Sequence, residues 1–232
     1  VFSGAVPPMG YAVYHFNQKG GDVRHSCDGD ADVLDGGILT VKTMNENGGV
    51  EIRDNRDGSV YAITPEVRAD DGDVWSFNTC GFGDTLELFT PISAARTESG
   101  DIKNVVRTRL GFRSSKMEQR ITVYPGRDYV DIAYRVDWDE PHTALKYRIT
   151  TPSAPDRIVA GVPGGLCERG FDGEEYPLSE TIELGDITVM ADSIFAYNTD
   201  KDTETAALTL LRNPVCGDLR MDDPLREDED YL

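Results

Sequence analysis

The three histidines of the chain raise the possibility of acid–base chemistry on a sugar ring. They are His15, His25 and His142. An enzyme that opens and closes a sugar ring needs a histidine paired with a carboxylate, one acting as acid and the other as base. His15 or His142 could be combined with Glu174 or Glu175, but the spacing brings no such pair together. A single histidine inside a strand is more often a hydrogen-bonded polar residue, so a mutarotase-like epimerase is the weaker hypothesis.

Hydrolysis of a glycosidic bond would require two carboxylates held on either side of that bond. The chain has 42 acidic residues, so composition alone indicates no particular pair. Aromatic rings that could stack on sugar faces are present as well, namely Trp75, Trp138, Tyr176 and Tyr197. Trp138 falls on the apolar side of its predicted strand, so core packing is the better interpretation for that ring.

One acidic segment begins like a calcium-binding loop, with Asp28, Asp30 and Asp32 at alternate positions. An EF-hand also requires glycine at its sixth position and glutamate at its twelfth, where this chain has Val33 and Leu39. We therefore interpret the segment as a solvated acidic loop.

The four cysteines are far apart and include no Cys-x-x-Cys pair; they are Cys27, Cys80, Cys167 and Cys216. A zinc site normally includes at least one close pair of ligands. Widely spaced single cysteines are typical of reduced thiols, which favours a cytoplasmic protein. Nucleophile-elbow, Walker, dinucleotide-binding and HExxH motifs are absent too. We expect no metal or other cofactor in this chain.

The net charge of −19 argues against binding to nucleic acid or to anionic membranes, because no basic stripe is available to neutralise phosphates. No apolar run approaches the ~20 residues of a membrane-spanning helix. The first ten residues, VFSGAVPPMG, also lack the pattern of a signal peptide. We expect neither nucleic acid nor membrane as a partner.

The elements that must position these side chains are predicted to be strands. Within Tyr129–Thr150, apolar residues occupy every second position on both sides of the break at Asp139-Glu140-Pro141. A period of two is what a strand needs to bury one face and expose the other. Two long amphipathic strands joined by a short polar connection indicate a large antiparallel sheet.

Similar strand candidates recur along most of the chain, separated by turn signals such as Asn47-Gly48-Gly49, which predicts a hairpin. Asp84–Ala95 is the one doubtful helical segment, and Pro91 interrupts it. The stretch Pro152–Ser179 is predicted to be an irregular but ordered excursion packed on the sheet. Residues 1–232 are thus expected to form a single all-β domain, a large antiparallel β-sandwich. The other strand candidates are Tyr11–Phe16, Ile38–Thr43, Val50–Asp54, Ser59–Ile63, Val74–Asn78, Val105–Phe112, Met117–Tyr124, Ile187–Ala191 and Ala207–Arg212.

Six segments, taken in order, resemble the C-terminal β-region of glycoside hydrolase family 38 α-mannosidases, with the bacterial cytoplasmic branch most similar. They correspond to the family's PP-hydrophobic-GY strand, its VDW…LK strand pair, its G…ER…E.P excursion and its LLR-small-P strand. In this chain they are Val6–Tyr11, Val136–Trp138, Leu145–Lys146, Gly161–Pro177, Val189–Tyr197 and Leu208–Pro214.

The resemblance implies a supersandwich similar to the galactose-mutarotase-like fold. It also implies that the parent protein is a retaining α-mannosidase acting on mannose-containing glycans. In that family an N-terminal catalytic domain, with no counterpart in this chain, holds the zinc ion and the nucleophilic aspartate. This chain is then expected to be a non-catalytic fragment whose partner is that domain. A stand-alone carbohydrate-binding module and a mutarotase-like epimerase remain the alternatives.

By the same resemblance, loops that follow the LLR strand approach the substrate in some members. The residues at those positions are Arg212, Arg220, Asp222 and Asp223, with Arg220 and Asp222 expected to face the catalytic domain. For Arg212, anchoring of the sandwich through a carboxylate is the more conservative interpretation. Glu168-Arg169 and Glu175 are expected to form a structural polar cluster. The surface that docks on the catalytic domain is expected to be more apolar than the rest.

Overall fold

The computed structural model describes residues 4–15, 32–72, 81–155, 157–200 and 205–214. These residues form seventeen strands and no helix. The described part of the chain therefore has no helix that could cross a membrane. The strands are β1 (Val33–Asp35), β2 (Leu39–Thr43), β3 (Val50–Asp54), β4 (Val60–Ala69), β5 (Thr85–Leu88), β6 (Thr90–Glu98), β7 (Asn104–Phe112), β8 (Ser115–Val123), β9 (Val130–Asp137), β10 (Thr143–Thr150), β11 (Ile158–Val162), β12 (Gly165–Arg169), β13 (Glu175–Pro177), β14 (Thr181–Leu184), β15 (Ile187–Met190), β16 (Ala196–Asp200) and β17 (Thr205–Asn213).

The strands form one long sheet and two small ones, and every pairing between neighbours is antiparallel. The long sheet has the order β1-β2-β3-β4-β10-β17-β16-β13, and β5 pairs with the second part of β4. The first small sheet has the order β6-β7-β8-β9, and the second has the order β12-β11-β14-β15.

The two small sheets lie side by side on the same face of the long sheet. Leu145, Tyr147 and Ile149 alternate along the central strand β10 and therefore share that face. Leu145 and Tyr147 pack with Leu110 in the first small sheet, whereas Ile149 packs with Ile158 in the second. A third cluster joins β2 and β3 to β7 and β8. Full burial of each such side chain contributes about 1.5–3 kcal/mol, and all three clusters lie on this side of the long sheet.

The predicted hairpin at Asn47-Gly48-Gly49 joins β2 to β3. Gly48 has a φ of 70°, and a Cβ atom placed there would lie 2.5 Å from the methyl groups of Leu110. Its carbonyl oxygen accepts a hydrogen bond of 2.8 Å from Gln119 Nε2 on β8. The turn needs glycine because the backbone is left-handed and lies directly against the opposing sheet.

The prediction of an all-β antiparallel sandwich is confirmed, but three local predictions need correction. Residues 11–15 of the predicted strand Tyr11–Phe16 are exposed and form no strand. Asp84–Ala95 contains β5 and much of β6 rather than a helix. Pro91 is tolerated because β6 is an edge strand, where a missing N–H donor does little harm. Pro152–Ser179 is ordered, as expected, but it contains β11, β12 and β13.

Candidate functional site

The outward side of the long sheet, opposite the small sheets, carries a cluster of charged residues that we call the charged face. On β10, Lys146 lies directly between Glu66 of β4 and Thr209 of β17, so the three side chains share this side. The charged face comprises Glu66, Arg68, Asp70, Lys146, Arg148, Glu175, Thr209 and Arg212.

Lys146 is a fully buried charged group of this face, with a side chain that is 0% exposed. Its Nζ atom donates a hydrogen bond of 2.6 Å to Glu175 Oε2 and lies 4.5 Å from the centre of the Phe82 ring. The hydroxyl group of Thr209 donates to the other oxygen of Glu175. Burial lowers the pKa of Lys146 to about 8, although the nearby Glu175 carboxylate acts in the opposite direction.

Glu66 is a second buried charge, with a side chain that is 2% exposed. It accepts a hydrogen bond of 2.7 Å from Arg68 Nε, and its other oxygen contacts the guanidinium group of Arg148. Arg148 is 37% exposed, so one end of its side chain reaches solvent. The two guanidinium groups provide this buried side chain with polar contacts in place of water.

Arg212 and Asp70 form a bidentate pair at the end of β17. Both contacts, from Nε to Oδ2 and from Nη2 to Oδ1, measure 2.8 Å. Asp70 is fully buried, while Arg212 keeps 22% of its side chain exposed and lies over the Phe82 ring at 5.1 Å. The Phe82 ring therefore contacts both Lys146 and Arg212.

Two shallow depressions lie elsewhere, along the first small sheet. One, of about 280 Å³, is bordered by the β2–β3 hairpin and by Pro91–Ala94. The other, of about 330 Å³, is lined by charged side chains of β7, β8 and β9 together with Ile92. Neither depression includes a residue of the charged face.

Comparison with known families gives a match over residues 34–220 to the model described as glycosyl hydrolases family 38 C-terminal domain. The chain belongs to this family. Comparison with curated protein sequences gave no match.

Two solved structures have the same fold as this family 38 domain. One is described as an alpha-mannosidase from Enterococcus faecalis V583, with 16% identity and a TM-score of 0.68 over 82% of this chain. The other is described as a protein in the glycosyl hydrolase family 38 from Enterococcus faecalis, with 16% identity and a TM-score of 0.67 over 82% of this chain. The matched region covers 26% and 27% of those two chains, so the family 38 domain spans about a quarter of their length.

Of the four site residues predicted for the family 38 domain, Arg212 is on the charged face and makes the expected carboxylate contact. Arg220, Asp222 and Asp223 lie outside the described residues, as do His25, Trp75, Cys27, Cys80 and Cys216.

The geometry does not assemble an epimerase site from the described histidines. His142 acts through its backbone, donating from its N–H to Asn213 O and accepting at its carbonyl from Asp70 N. Glu175 is already engaged by Lys146 and Thr209. Among the described residues no hydrogen bond or ion pair joins a histidine to Glu174 or Glu175. The same part of the chain contains no group of three histidine, cysteine or acidic residues that could hold a metal ion.

The aromatic residues proposed for sugar stacking are mostly in the core or in contact with protein groups. Trp138 stacks on Phe112 at 5.8 Å and donates from Nε1 to Thr143 Oγ1 at 3.2 Å, which confirms its role in packing. Tyr197 is fully buried, and Tyr176 lies under the guanidinium group of Arg169 at 4.1 Å.

The expected polar cluster of Glu168, Arg169 and Glu175 is not formed as a unit. Arg169 lies over Tyr176, Glu175 binds Lys146, and Glu168 is exposed on β12. The cluster that does form is centred on Lys146, which sequence reasoning missed. Alternation alone places Lys146 on the polar side of its strand and predicts exposure, since it carries no information on what covers that side.

Proposed function

We propose that this domain supports the catalytic domain of a retaining α-mannosidase and completes its substrate cleft. The zinc ion and the nucleophile would belong to the catalytic domain, and the family 38 domain itself would be non-catalytic. The substrate would be a mannose-containing glycan. The observation that carries the proposal is the charged face.

The charged face suits this role because its side chains are fixed before anything binds. Each acid of this face has a basic partner within hydrogen-bonding distance, in the pairs Glu66–Arg68, Asp70–Arg212 and Glu175–Lys146. The outer part of the Arg148 side chain remains exposed. Guanidinium groups held in this way can bind hydroxyl groups or carboxylates with little loss of side-chain entropy.

The comparisons support the same role. The family model describes a C-terminal domain, and one structural neighbour is described as an alpha-mannosidase about four times as long as the region it shares with this chain. A domain with this fold is thus found as part of a much longer protein. The catalytic groups are proposed to lie in the remainder of such a protein.

The residues after β17 are the proposed contribution to the cleft. β17 ends at Asn213, next to the Asp70–Arg212 pair of the charged face. Arg220, Asp222 and Asp223 follow within ten residues in the sequence. We propose that Arg220 and Asp222 face the catalytic domain.

The test is the double substitution Arg220→Ala/Asp222→Ala in the full-length parent enzyme. We expect kcat/KM for an aryl α-mannoside to fall about tenfold or more, which corresponds to about 1.4 kcal/mol of lost transition-state stabilisation. Glu229→Ala/Asp230→Ala in the same acidic segment is the matched control and should leave kcat/KM unchanged. Equal kcat/KM values for the parent and the Arg220/Asp222 variant would exclude these residues from the cleft.

A further inference from the structure

The half-buried thiol of Cys167 lies between the edges of two sheets. β12, which carries this thiol, is an edge strand of the second small sheet, and β13 is an edge strand of the long sheet. On β12, Cys167 and Arg169 are opposite Ala160 and Ile158 of β11, which are both fully buried. The side chains of Cys167 and Arg169 therefore point inward, toward the long sheet.

Two tyrosines of the long sheet lie on the facing side. Tyr176 on β13 and Tyr197 on β16 are directly opposite each other, with ring centres 6.0 Å apart. The guanidinium group of Arg169 lies 4.1 Å from the centre of the Tyr176 ring, so it reaches from β12 to the long sheet. Tyr197 is fully buried and packs in the same apolar cluster as Ala160 and Ile158. The thiol, the guanidinium group and both phenols thus share one space between the sheet edges.

Two buried donors in this space have no hydrogen-bond partner among the described residues. They are the hydroxyl group of Tyr197 and Nε of Arg169. The hydroxyl group of Tyr176, by contrast, already donates to Asp172. A buried donor without an acceptor is destabilising, so the pair indicates an acceptor that the unmodified chain does not supply.

The Tyr197 phenol remains a donor over a wide range of pH. Burial raises the pKa of Tyr197 to about 12, although the positive charge of Arg169 acts in the opposite direction. The same phenol is within electrostatic reach of Cys167. At neutral pH the O–H group of Tyr197 and the N–H group of Arg169 are therefore both available to one acceptor beside the thiol.

An oxygen atom attached to Cys167 Sγ would be such an acceptor. In the reduced chain Sγ lies 3.7 Å from the carbonyl oxygen of Glu168, and a thiol sulfur is only a weak acceptor. An oxygen bonded to sulfur is a stronger acceptor and extends further from the backbone of β12. Because the thiol is half-buried rather than enclosed, a molecule as small as hydrogen peroxide can reach it.

We propose that Cys167 is a modification site, at which hydrogen peroxide oxidises the thiol to a sulfenic acid that Tyr197 and Arg169 stabilise. Sγ attacks as the thiolate on one oxygen of the peroxide, so that a sulfur–oxygen bond forms and the oxygen–oxygen bond breaks. The departing hydroxide takes up the proton that the thiol released, which gives one water molecule. Sulfur is oxidised by two electrons and the peroxide is reduced by two.

The surroundings of Cys167 favour a stop at the sulfenic acid. No second cysteine is present in the described part of the chain to condense with it there. The two hydrogen bonds would connect β12 to β16, so oxidation should tighten the contact between the second small sheet and the long sheet. The charged face is on the other side of the long sheet, so this inference does not depend on the proposed mannosidase role.

The first test is treatment of the 232-residue chain with hydrogen peroxide while a diketone probe specific for sulfenic acids is present. Peptide mapping by mass spectrometry locates the label. We expect labelling at Cys167 that depends on peroxide. A Cys167 that stays reduced, or that is found only as sulfinic or sulfonic acid, would overturn the proposal.

The second test compares two phenol-to-phenyl substitutions on neighbouring rings. Tyr197→Phe removes the unpartnered hydroxyl group, so the sulfenic acid at Cys167 should be lost to excess peroxide about tenfold faster than in the unaltered chain. Tyr176→Phe is the matched control, because its hydroxyl group is already bound to Asp172. It should leave the lifetime of the sulfenic acid unchanged. Equal lifetimes in the two variants would exclude Tyr197 from a role in stabilising the oxidised cysteine.

Thermal unfolding distinguishes this role from a general effect on folding. In the reduced chain, Tyr197→Phe should have a Tm equal to or above that of the unaltered chain, because a buried hydroxyl group without a partner is removed. In the oxidised chain the same variant should have the lower Tm, because the hydrogen bond to the added oxygen is lost. A Tyr197→Phe variant that loses the same Tm in both states would show that this hydroxyl group does not recognise the oxidised cysteine.

Discussion

At the scale of single residues, the environment of a charge decides what that charge can do. Lys146 is the central example, because a lysine on the polar side of a strand is normally solvated. Here Glu175, Thr209 and Phe82 replace the solvent. The carboxylate of Glu175 stabilises the ammonium group of Lys146. Lys146 nevertheless loses its proton at a lower pH than an exposed lysine does.

The lowered pKa of Lys146 predicts a pH dependence of stability. In the folded chain its pKa is about 8, below the usual lysine value of 10.5, so between these values the unfolded chain binds more protons. The free energy of unfolding should therefore rise with pH between about 8 and 10, by on the order of 2 kcal/mol. Lys146→Met should abolish this rise, as measured by urea unfolding of both proteins across the range.

The window for that measurement ends near pH 10, because tyrosines then add an opposing effect. Burial raises the pKa of Tyr147, so this group contributes stability that is lost once the unfolded tyrosine ionises at higher pH. Parallel pH profiles for Lys146→Met and the unaltered chain would show that Lys146 does not titrate in this range.

The Asp70–Arg212 pair makes a second prediction at this scale. Arg212→Met leaves the fully buried carboxylate of Asp70 without its guanidinium partner, and should lower the free energy of unfolding by about 2–4 kcal/mol. The double variant Asp70→Leu/Arg212→Met removes the stranded charge and should recover part of the loss. A double variant less stable than Arg212→Met would contradict this account, again judged by urea unfolding.

At the scale of elements, the β2–β3 hairpin shows how closely a turn can approach the opposing sheet. Gly48→Ala combines the strain of a φ of 70° with a collision at 2.5 Å from Leu110, so it should destabilise the fold by about 2–4 kcal/mol. Gly58→Ala is the matched control. Its φ of 83° carries similar strain, but its new Cβ would meet only Arg53 Nη2, at 4.0 Å.

The difference between the two glycine variants isolates the collision from the backbone strain. In thermal unfolding, Gly48→Ala should have a clearly lower Tm than Gly58→Ala. Shortening the opposing side chain with Leu110→Val should reduce this difference in Tm, because positions 48 and 110 are in contact and their effects are coupled. A Tm for Gly58→Ala as low as that of Gly48→Ala would mean that packing against Leu110 plays no part.

The positions of individual strands could be predicted from the sequence more readily than the pairing between strands. β9 and β10 follow from alternation, since Val130–Trp138 and Leu145–Ile149 show the period of two that one buried face requires. That β10 pairs with both β4 and β17 could not be predicted, because the choice depends on packing between distant segments. β17 has a bulge opposite Leu145 and Lys146, where the pairing with β10 shifts by one residue. No local sequence signal marks this bulge.

At the scale of the whole molecule, the long sheet separates two kinds of surface. One side is covered by three apolar clusters and the other carries the charged face. That Arg212 binds a carboxylate could be predicted from the chemistry of its guanidinium group. Its partner Asp70 could not, since 142 residues separate them and the chain offers many acidic alternatives.

The central position of β10 also has a consequence for how the chain is made. β4 and β17 flank β10, yet more than 50 residues of chain separate β10 from each of them. During synthesis on a ribosome, the hairpins of both small sheets can form early, because their strands are close in sequence. The middle of the long sheet stays incomplete until β17 has emerged. Until that moment β10 exposes an unpaired edge. We expect the nascent chain to need protection from aggregation during that interval, and final closure to be slow, as is typical of sheets built from distant strands.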